Sequence, residues 1–472
     1  MSLHIPFDNS YARLPDRFFT RMSPVPVREP HLIAFNTPLA AELGITPGDE
    51  ASMARIFAGN EIPVGAEPLA QAYAGHQFGG FSPQLGDGRA NLLGEALHDG
   101  RRVDIQLKGS GPTPYSRMGD GRAWMGPVLR EYVVSEAMHA LGVPTSRALA
   151  AVSTGETVYR EPGGLPGAIL TRVASSHIRV GTFQYFAARR DLDALKALYA
   201  HVVDRHYPDA TDPVDLLSRV IDRQARLVAQ WMSVGFIHGV MNTDNTTLSG
   251  ETIDYGPCAF LDTYHPDTVF SSIDMRGRYA FSNQPNVIVW NMAQLATAMV
   301  PLMTDEDEAV EKFTKAVHAM PELTHHYWRQ AFGRKIGLSA ISEADETLIT
   351  DLLNNMAHGQ ADFTNTFRAL SDGKPRDQFT DPALFDDWEP DWRTRLEQED
   401  DPLATMRAAN PVLIPRNHRV EEMIDAAVAG DFAPFARLNL ALSQPFVDDP
   451  DTSDLRHPPA PDEVVHQTFC GT

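Results

Sequence analysis

The sequence predicts an α+β protein of two lobes, strand-rich first and mainly helical after, with a ligand cleft between them. Three observations carry this. The first part is rich in glycine and in short runs that alternate apolar and polar side chains, the period of two of a strand. After Asp191 the apolar residues recur at helical spacing instead. The residues with chemical potential gather in glycine-rich loops of the first part and in one polar loop, 238–256, that follows the longest helical pattern.

Taken in order, the sequence to about residue 69 is Pro-rich and irregular, with one short helical segment near Leu39-Ala-Ala-Glu-Leu. A Gly-rich stretch, 74–89, leads into a strand at 90–97. In the next strand Val103, Ile105 and Leu107 alternate with Asp104, Gln106 and Lys108, the pattern of a half-buried strand with Lys108 on the polar face at its end. A second Gly-rich loop, 109–126, ends at Pro127, a favoured first helical position, and Gly142 stops the helix that follows. Further strands are expected at 146–153, 156–161 and 168–173. Leu217, Val220, Ile221, Leu227, Val228, Trp231 and Met232 mark one long amphipathic helix ending at Gly235, and helices are expected at 287–303, 307–319 and 344–356. The acidic, Pro-rich residues 448–472 read as an extended tail. The division is one catalytic unit over 1–472: a first lobe at about 60–180, a helical lobe at about 181–447, and the tail.

The totals exclude several function classes. The protein has 472 residues and a formal net charge of -22, which argues against general nucleic-acid binding, because that needs a basic field. Two cysteines, Cys258 and Cys470, exclude a disulfide framework or a multi-cysteine zinc site and leave room for one pair. No apolar run is long enough to span a bilayer, and the N-terminus has no charged head before an apolar stretch. A cytoplasmic protein without membrane partners is the expectation.

Two segments carry the chemistry. His238-Gly-Val-Met-Asn-Thr-Asp-Asn245, followed by Ile253-Asp-Tyr-Gly256, is similar to the catalytic loop and metal-binding Asp-Phe-Gly of protein kinases. Asn245 and Asp254 stand where the metal ligands belong, an oxygen pair suited to Mg²⁺ on nucleotide phosphates. Val240 stands where the base belongs, and valine cannot accept a proton. Asp244 is the nearest carboxylate that could replace it. Lys108 either grips a nucleotide phosphate or is a solvated strand-end lysine; Glu131 on the next helix could pair with it, with Glu136 the rival. Arg172 and Arg179 either converge on a polyphosphate or lie on the surface. Each Gly-Asp-Gly, at 86–88 and 119–121, either admits phosphate to backbone N–H groups or is a tight turn. His76 and His238 read as structural histidines bonding to nearby backbone, and Cys258 as a small buried residue.

Longer segments carry a family resemblance. Tyr73-Ala-Gly-His-Gln-Phe-Gly79, Ser82-Pro-Gln-Leu-Gly-Asp-Gly-Arg-Ala90, Gln106-Leu-Lys-Gly-Ser-Gly-Pro-Thr-Pro-Tyr-Ser-Arg117, the 238–245 loop and Asn410-Pro-Val-Leu-Ile-Pro-Arg-Asn417 together resemble the selenoprotein O family, called YdiU in bacteria. The resemblance implies a protein-kinase-like two-lobed fold and transfer of AMP from ATP to Ser, Thr or Tyr hydroxyls of proteins, with the nucleotide bound in a flipped orientation. UMP transfer from UTP with Mn²⁺ is implied for bacterial members. It further implies that Gly86, Gly88, Arg89, Lys108, Asp120, Gly121, Arg172, Arg179 and Asp254 hold the nucleotide. Asn245 and Asp254 would bind Mg²⁺ or Mn²⁺, Asp244 would take the proton, and Glu131 would pair with Lys108. The sequence departs from the family at two points: Cys470 stands where some members have selenocysteine, and Ser271-Ser272 stands near where bacterial members have a cysteine. A Cys258–Cys470 pairing stays open. Two other readings also stay open, a conventional γ-phosphotransferase and a catalytically inactive nucleotide-binding scaffold.

Overall fold

A computed structural model describes residues 3–161 and 163–469. The first part builds an antiparallel sheet from β1 (Phe19–Arg21), β2 (His31–Phe35), β3 (Leu69–Gln71), β6 (Ala90–His98), β7 (Arg101–Lys108), β8 (Ala123–Trp124), β9 (Arg147–Arg160) and β10 (Gly163–Ala174). Its order is β1-β3-β6-β7-β10-β9-β2, with β8 beside β10. A separate hairpin joins β4 (Gly75–Gln77) to β5 (Gly80–Ser82). The region before residue 69 is more ordered than its Pro content suggests. It supplies β1 and β2 as well as α1 (Thr37–Glu42) and α2 (Glu50–Phe57), and only the first of these helices is legible in the sequence. Strands of three and five residues are too short to display an alternation.

The two faces of β7 differ from expectation. Val103, Ile105 and Leu107 pack with Leu39, Leu43, Met53, Ile56 and Phe57, so α1 and α2 cover the apolar face. The polar face is not solvated: Asp104 and Gln106 are fully buried. Pairing of β7 with β10 sets Gln106 opposite Arg172 and Lys108 opposite Leu170. Opposed residues share a face, and so do residues two apart, so the register brings Gln106, Lys108 and Arg172 to one side of the sheet. The two strands expected at 146–153 and 156–161 are one continuous β9.

On that side lies α3 (Met125–Ala140), buried on most of its circumference. Its outer face is covered by α14 (Asn417–Val428) and α15 (Ala433–Leu442), whose Val420, Met423, Ile424, Phe435 and Leu438 join Val128, Leu129, Tyr132 and Val133 in one cluster. The remainder of the fold is helical: α4 (Val180–Ala188), α5 (Leu192–His206), α6 (Pro213–Ser233), α7 (Gln284–Met299), α8 (Glu306–His318), α9 (Met320–Lys335), α10 (Glu346–His358), α11 (Phe363–Asp372), α12 (Ala383–Leu396) and α13 (Pro402–Ala409). In α6 the Asp212 carboxylate accepts the Val214 and Asp215 N–H groups, Pro213 takes the first turn, and the helix stops before Gly235 at φ 73°. The backbone then makes β11 (Phe236–Ile237), the polar loop, and β12 (Ala259–Phe260), paired with β11. No helix among the described residues is long and apolar enough to cross a membrane.

The final residues pack against the body of the protein. Residues Pro450–Arg456 form a 3-10 turn with Leu455 buried, and the Thr468 hydroxyl donates to the Pro257 carbonyl at 2.6 Å. Cys258 is buried, and burial pushes its thiol up to about 12. Its pairing with Cys470 lies outside the described residues, because Cys470 is not among them.

The lobes are joined by a buried ionic clasp. Arg205 of α5 reaches Asp104 of β7 at 2.6 Å and Glu95 of β6 at 3.0 Å, while His177 Nδ1 lies 3.0 Å from Asp104. Burial lowers His177 and the nearby His201 to about 4, and His206 to about 3. All three are neutral in the fold and titrate near about 6.5 when unfolded. The unfolded state therefore binds more protons below that pH, and stability falls as pH drops from about 6.5 toward the folded values. Thermal unfolding is expected to show a lower Tm at about pH 5.5 than at about pH 7.5, with a smaller drop in His201→Leu. A flat profile would contradict the burial of these histidines in their neutral form.

Candidate active site

The face of the sheet carrying Gln106, Lys108 and Arg172 forms one wall of a cleft of about 820 Å³, and the polar loop between β11 and β12 forms the other. This volume suits a nucleotide. Gly86, Gly88, Arg89, Lys108, Asp120, Gly121, Glu131, Arg172, Arg179, Asp244, Asn245 and Asp254 all line it. Residues scattered over 169 positions of sequence, from Gly86 to Asp254, are thus brought to one cavity.

At its base, three cations converge on one carboxylate. Asp254 Oδ1 lies 2.8 Å from Lys108 Nζ and 2.7 Å from Arg172 Nη1, and Asp254 Oδ2 lies 3.8 Å from Arg179 Nη2. Glu131 completes the cluster, 2.5 Å from Lys108 and 3.3 Å from Arg172. Glu136 is five residues further along α3, where the helix points it elsewhere, and it pairs with Arg147 at 2.7 Å. Lys108 is accordingly not a solvated strand-end lysine, and Arg172 and Arg179 are fully buried. Burial alone would raise the Asp254 carboxyl; the charges of Arg172, Lys108 and Arg179 outweigh it and hold the group well below the usual carboxylate range. The backbone at Asp254 is left-handed, φ 61°, a conformation that costs energy outside glycine and that aspartate tolerates better than most residues.

Other residues support this cluster. Arg172 Nη2 donates to Gln106 Oε1 at 2.6 Å, Arg179 lies 3.6 Å from Asp87, and the Arg179 guanidinium covers the Tyr73 ring at 4.2 Å. Asp87, in the first Gly-Asp-Gly, is buried and accepts from Gln71 N–H and Gln106 Nε2. Its flanking Gly86 is required by packing as well as by its φ of 78°: a Cβ there would stand 2.3 Å from the Tyr115 ring. In the second Gly-Asp-Gly, Asp120 is held by Arg160 at 2.9 Å. Arg89 is half-buried and makes no ion pair among the described residues. Spacing and composition do not single out Asp87, Gln106 or Tyr73 as site residues. Their only signal in the sequence is membership of the motifs that contain them.

The opposite wall carries the acidic loop. Val240 is buried, and its carbonyl accepts the Asn245 amide at 3.0 Å, which leaves Asn245 Oδ1 as the available oxygen of that residue. His238 is structural, with Nε2 donating to the Ile253 carbonyl at 2.9 Å; the His76 ring instead meets the Gln184 amide at 2.8 Å. Asp244 is buried, and burial raises its carboxyl to about 6 against the opposing pull of its own backbone N–H and Arg179. Its Oδ1 has no hydrogen-bond partner among the described residues. No group of three or more His, Cys, Asp or Glu that could hold a metal ion occurs among the described residues. A hard cation here would draw on Asn245, Asp254 and the oxygens of a ligand.

Comparison with known proteins decides the family. Residues 1–443 match the family model described as protein adenylyltransferase SelO. The chain belongs to the SelO family. It is similar to the protein nucleotidyltransferase YdiU of Ruegeria pomeroyi, at 63% identity over 473 residues and the full length of both proteins. It is 64% identical to that of Ruegeria sp. and 56% identical to that of Bradyrhizobium diazoefficiens, again over the full length of each. The protein is an enzyme of the protein nucleotidyltransferase class.

The charge cluster makes a stability prediction. Arg172→Met leaves Asp254 and Glu131 with one fewer buried counter-charge, and loss of one partner from such a set costs roughly 3–5 kcal/mol. Urea unfolding of Arg172→Met is expected to show that loss, and an unchanged midpoint would contradict the buried pairing.

Proposed function

We propose that the enzyme transfers AMP from ATP to a Ser, Thr or Tyr hydroxyl of a protein and releases pyrophosphate. The observation that carries this reading is the convergence of Lys108, Arg172 and Arg179 on Asp254 in the cleft that also holds Asp244. In a kinase the terminal phosphate meets the acceptor and the base. Here the base position is Val240, and three fixed cations sit where the larger developing charge would need them. A pyrophosphate leaving group carries that charge, so the arrangement suits ATP lying with its outer phosphates on the cations and its α-phosphorus toward the acceptor.

In this reading the hydroxyl oxygen attacks the α-phosphorus, the bond from that phosphorus to the bridging oxygen breaks, and pyrophosphate leaves. Asp244, whose side chain lines the cleft, takes the hydroxyl proton. Lys108, Arg172 and Arg179 exchange part of their hold on Asp254 for phosphate oxygens, and Glu131 keeps Lys108 in place. Arg89, Gly86, Gly88, Asp120 and Gly121 line the remaining length of the nucleotide. Asn245 and Asp254 would hold Mg²⁺ or Mn²⁺, which supplies charge neutralisation and polarisation of phosphoryl oxygens when bound. ATP and UTP share the triphosphate, so the choice between AMP and UMP rests with groups that touch the base.

Labelled ATP tests the reading. Label on the α-phosphate is expected on protein, with a mass gain of adenylate; label arriving from the γ-phosphate would support the phosphotransferase reading instead. Lys108→Ala is expected to lower transfer by roughly 100-fold or more. Asp244→Asn is expected to lower kcat with the Kd for ATP little changed. Equal loss of binding and transfer would remove Asp244 from the role of base.

A further inference from the structure

The segment Tyr73-Ala-Gly-His-Gln-Phe-Gly79 contributes more than a wall of the cleft. It forms β4 and the tip of the β4–β5 hairpin, with φ of 51° at Phe78 and 85° at Gly79, the paired positive values of a tight two-residue turn. Three successive residues of this hairpin bond three successive residues of the catalytic loop. The His76 N–H donates to Thr243 Oγ1 at 2.7 Å, Gln77 Nε2 donates to Asp244 Oδ2 at 3.2 Å, and the Phe78 N–H donates to Asn242 Oδ1 at 3.1 Å. Two further side chains lock the contact. The Thr243 hydroxyl donates to Gln184 Oε1 at 2.7 Å, and the Tyr279 hydroxyl donates to Asn242 Oδ1 at 2.6 Å.

The approach of the strand is close. A Cβ at Gly75 would stand 2.6 Å from Asp244 Oδ1, so only glycine lets β4 lie against this carboxylate. The two oxygens of Asp244 are thereby made unequal: Oδ2 takes the Gln77 amide, and Oδ1 is buried without a partner among the described residues.

We infer that Gln77 is a positioning residue, whose amide, bonded to Oδ2, fixes the orientation of the Asp244 carboxylate at the cleft for the acceptor hydroxyl. The backbone bonds of His76 and Phe78 keep the hairpin on the catalytic loop, and the Gln77 amide orients the carboxylate. This rests on the reading of Asp244 as proton acceptor. Strand alternation fits the division of labour: His76 turns to Gln184, and Gln77 turns the other way, to Asp244.

The test is Gln77→Met, which keeps the length of the side chain and removes its amide donor. AMP transfer to protein is expected to fall in kcat by roughly 10–100-fold. The Kd for ATP, measured by calorimetry, is expected to stay at its wild-type value, and the protein to remain folded with at most a modest fall in Tm. A kcat within about twofold of wild type would overturn the inference, as would loss of ATP affinity in step with kcat. A crystal structure of Gln77→Met gives a second reading independent of turnover: a reoriented Asp244 carboxylate supports the inference, and an unchanged one overturns it. The wild-type enzyme in the same assay separates the two levels. No AMP transfer by wild type contradicts the proposed reaction, whereas transfer that Gln77→Met leaves intact contradicts only the role of Gln77.

Discussion

Asp254 is held by Lys108, Arg172 and Arg179 together, and most of the architecture serves that one contact. Burying several charges side by side is unfavourable unless each finds a partner in good geometry. The partners come from distant parts of the sequence: Gln106 on β7, Arg172 on β10, Glu131 on α3, Asp87 before β6, and Arg179 at the start of α4. The sheet register aligns the first two, and α3, which carries the third, is covered on its other face by α14 and α15. The strained backbone at Asp254 is maintained by the same pairs. A site of this kind is a preorganised field of charge awaiting an anion that can compete with Asp254 for its cations.

The region that follows the polar loop is a brace for that field. Within the motif 410–417, Asn417 bonds both ways to Phe260 of β12, at 3.0 and 2.8 Å, and Asn410 spans α9 and α11 through the Lys335 and Phe367 carbonyls. Arg416 is buried between Asp262 and Asp362 at 2.6 and 2.9 Å. These residues lie outside the cleft lining, yet they fix the strand that closes the polar loop between β11 and β12. The contact from Thr468 to Pro257 brings the last described residues to the same place.

The sequence displays the parts that are local and leaves out those set by pairing across the fold. The loop from His238 to Asn245, Asp254-Tyr-Gly, Lys108 at a strand end and the amphipathic stripe of α6 are legible because spacing alone defines them. Glu131 is not separable from Glu136 in the sequence, since the phase of α3 against the sheet decides between two acidic residues on one helix. Arg172 and Arg179 are equally able to be solvated until the fold is known; their burial follows from packing against α3 and Tyr73. The polar face of β7 reads as exposed because alternation reports chemistry, not cover, and here the cover is Arg205, Arg172 and their partners. Gln77 carries no signal because a glutamine has no acid–base chemistry of its own, and its meaning comes from the carboxylate it touches.

The direction of the nucleotide in its cleft decides which phosphorus is attacked. A crystal structure of the enzyme with Mg²⁺ and a non-hydrolysable ATP analogue measures it directly. The β- and γ-phosphates are expected against Lys108, Arg172 and Arg179, with the α-phosphorus nearest Asp244. An analogue whose γ-phosphorus points at Asp244, with adenine deepest in the cleft, would contradict this orientation.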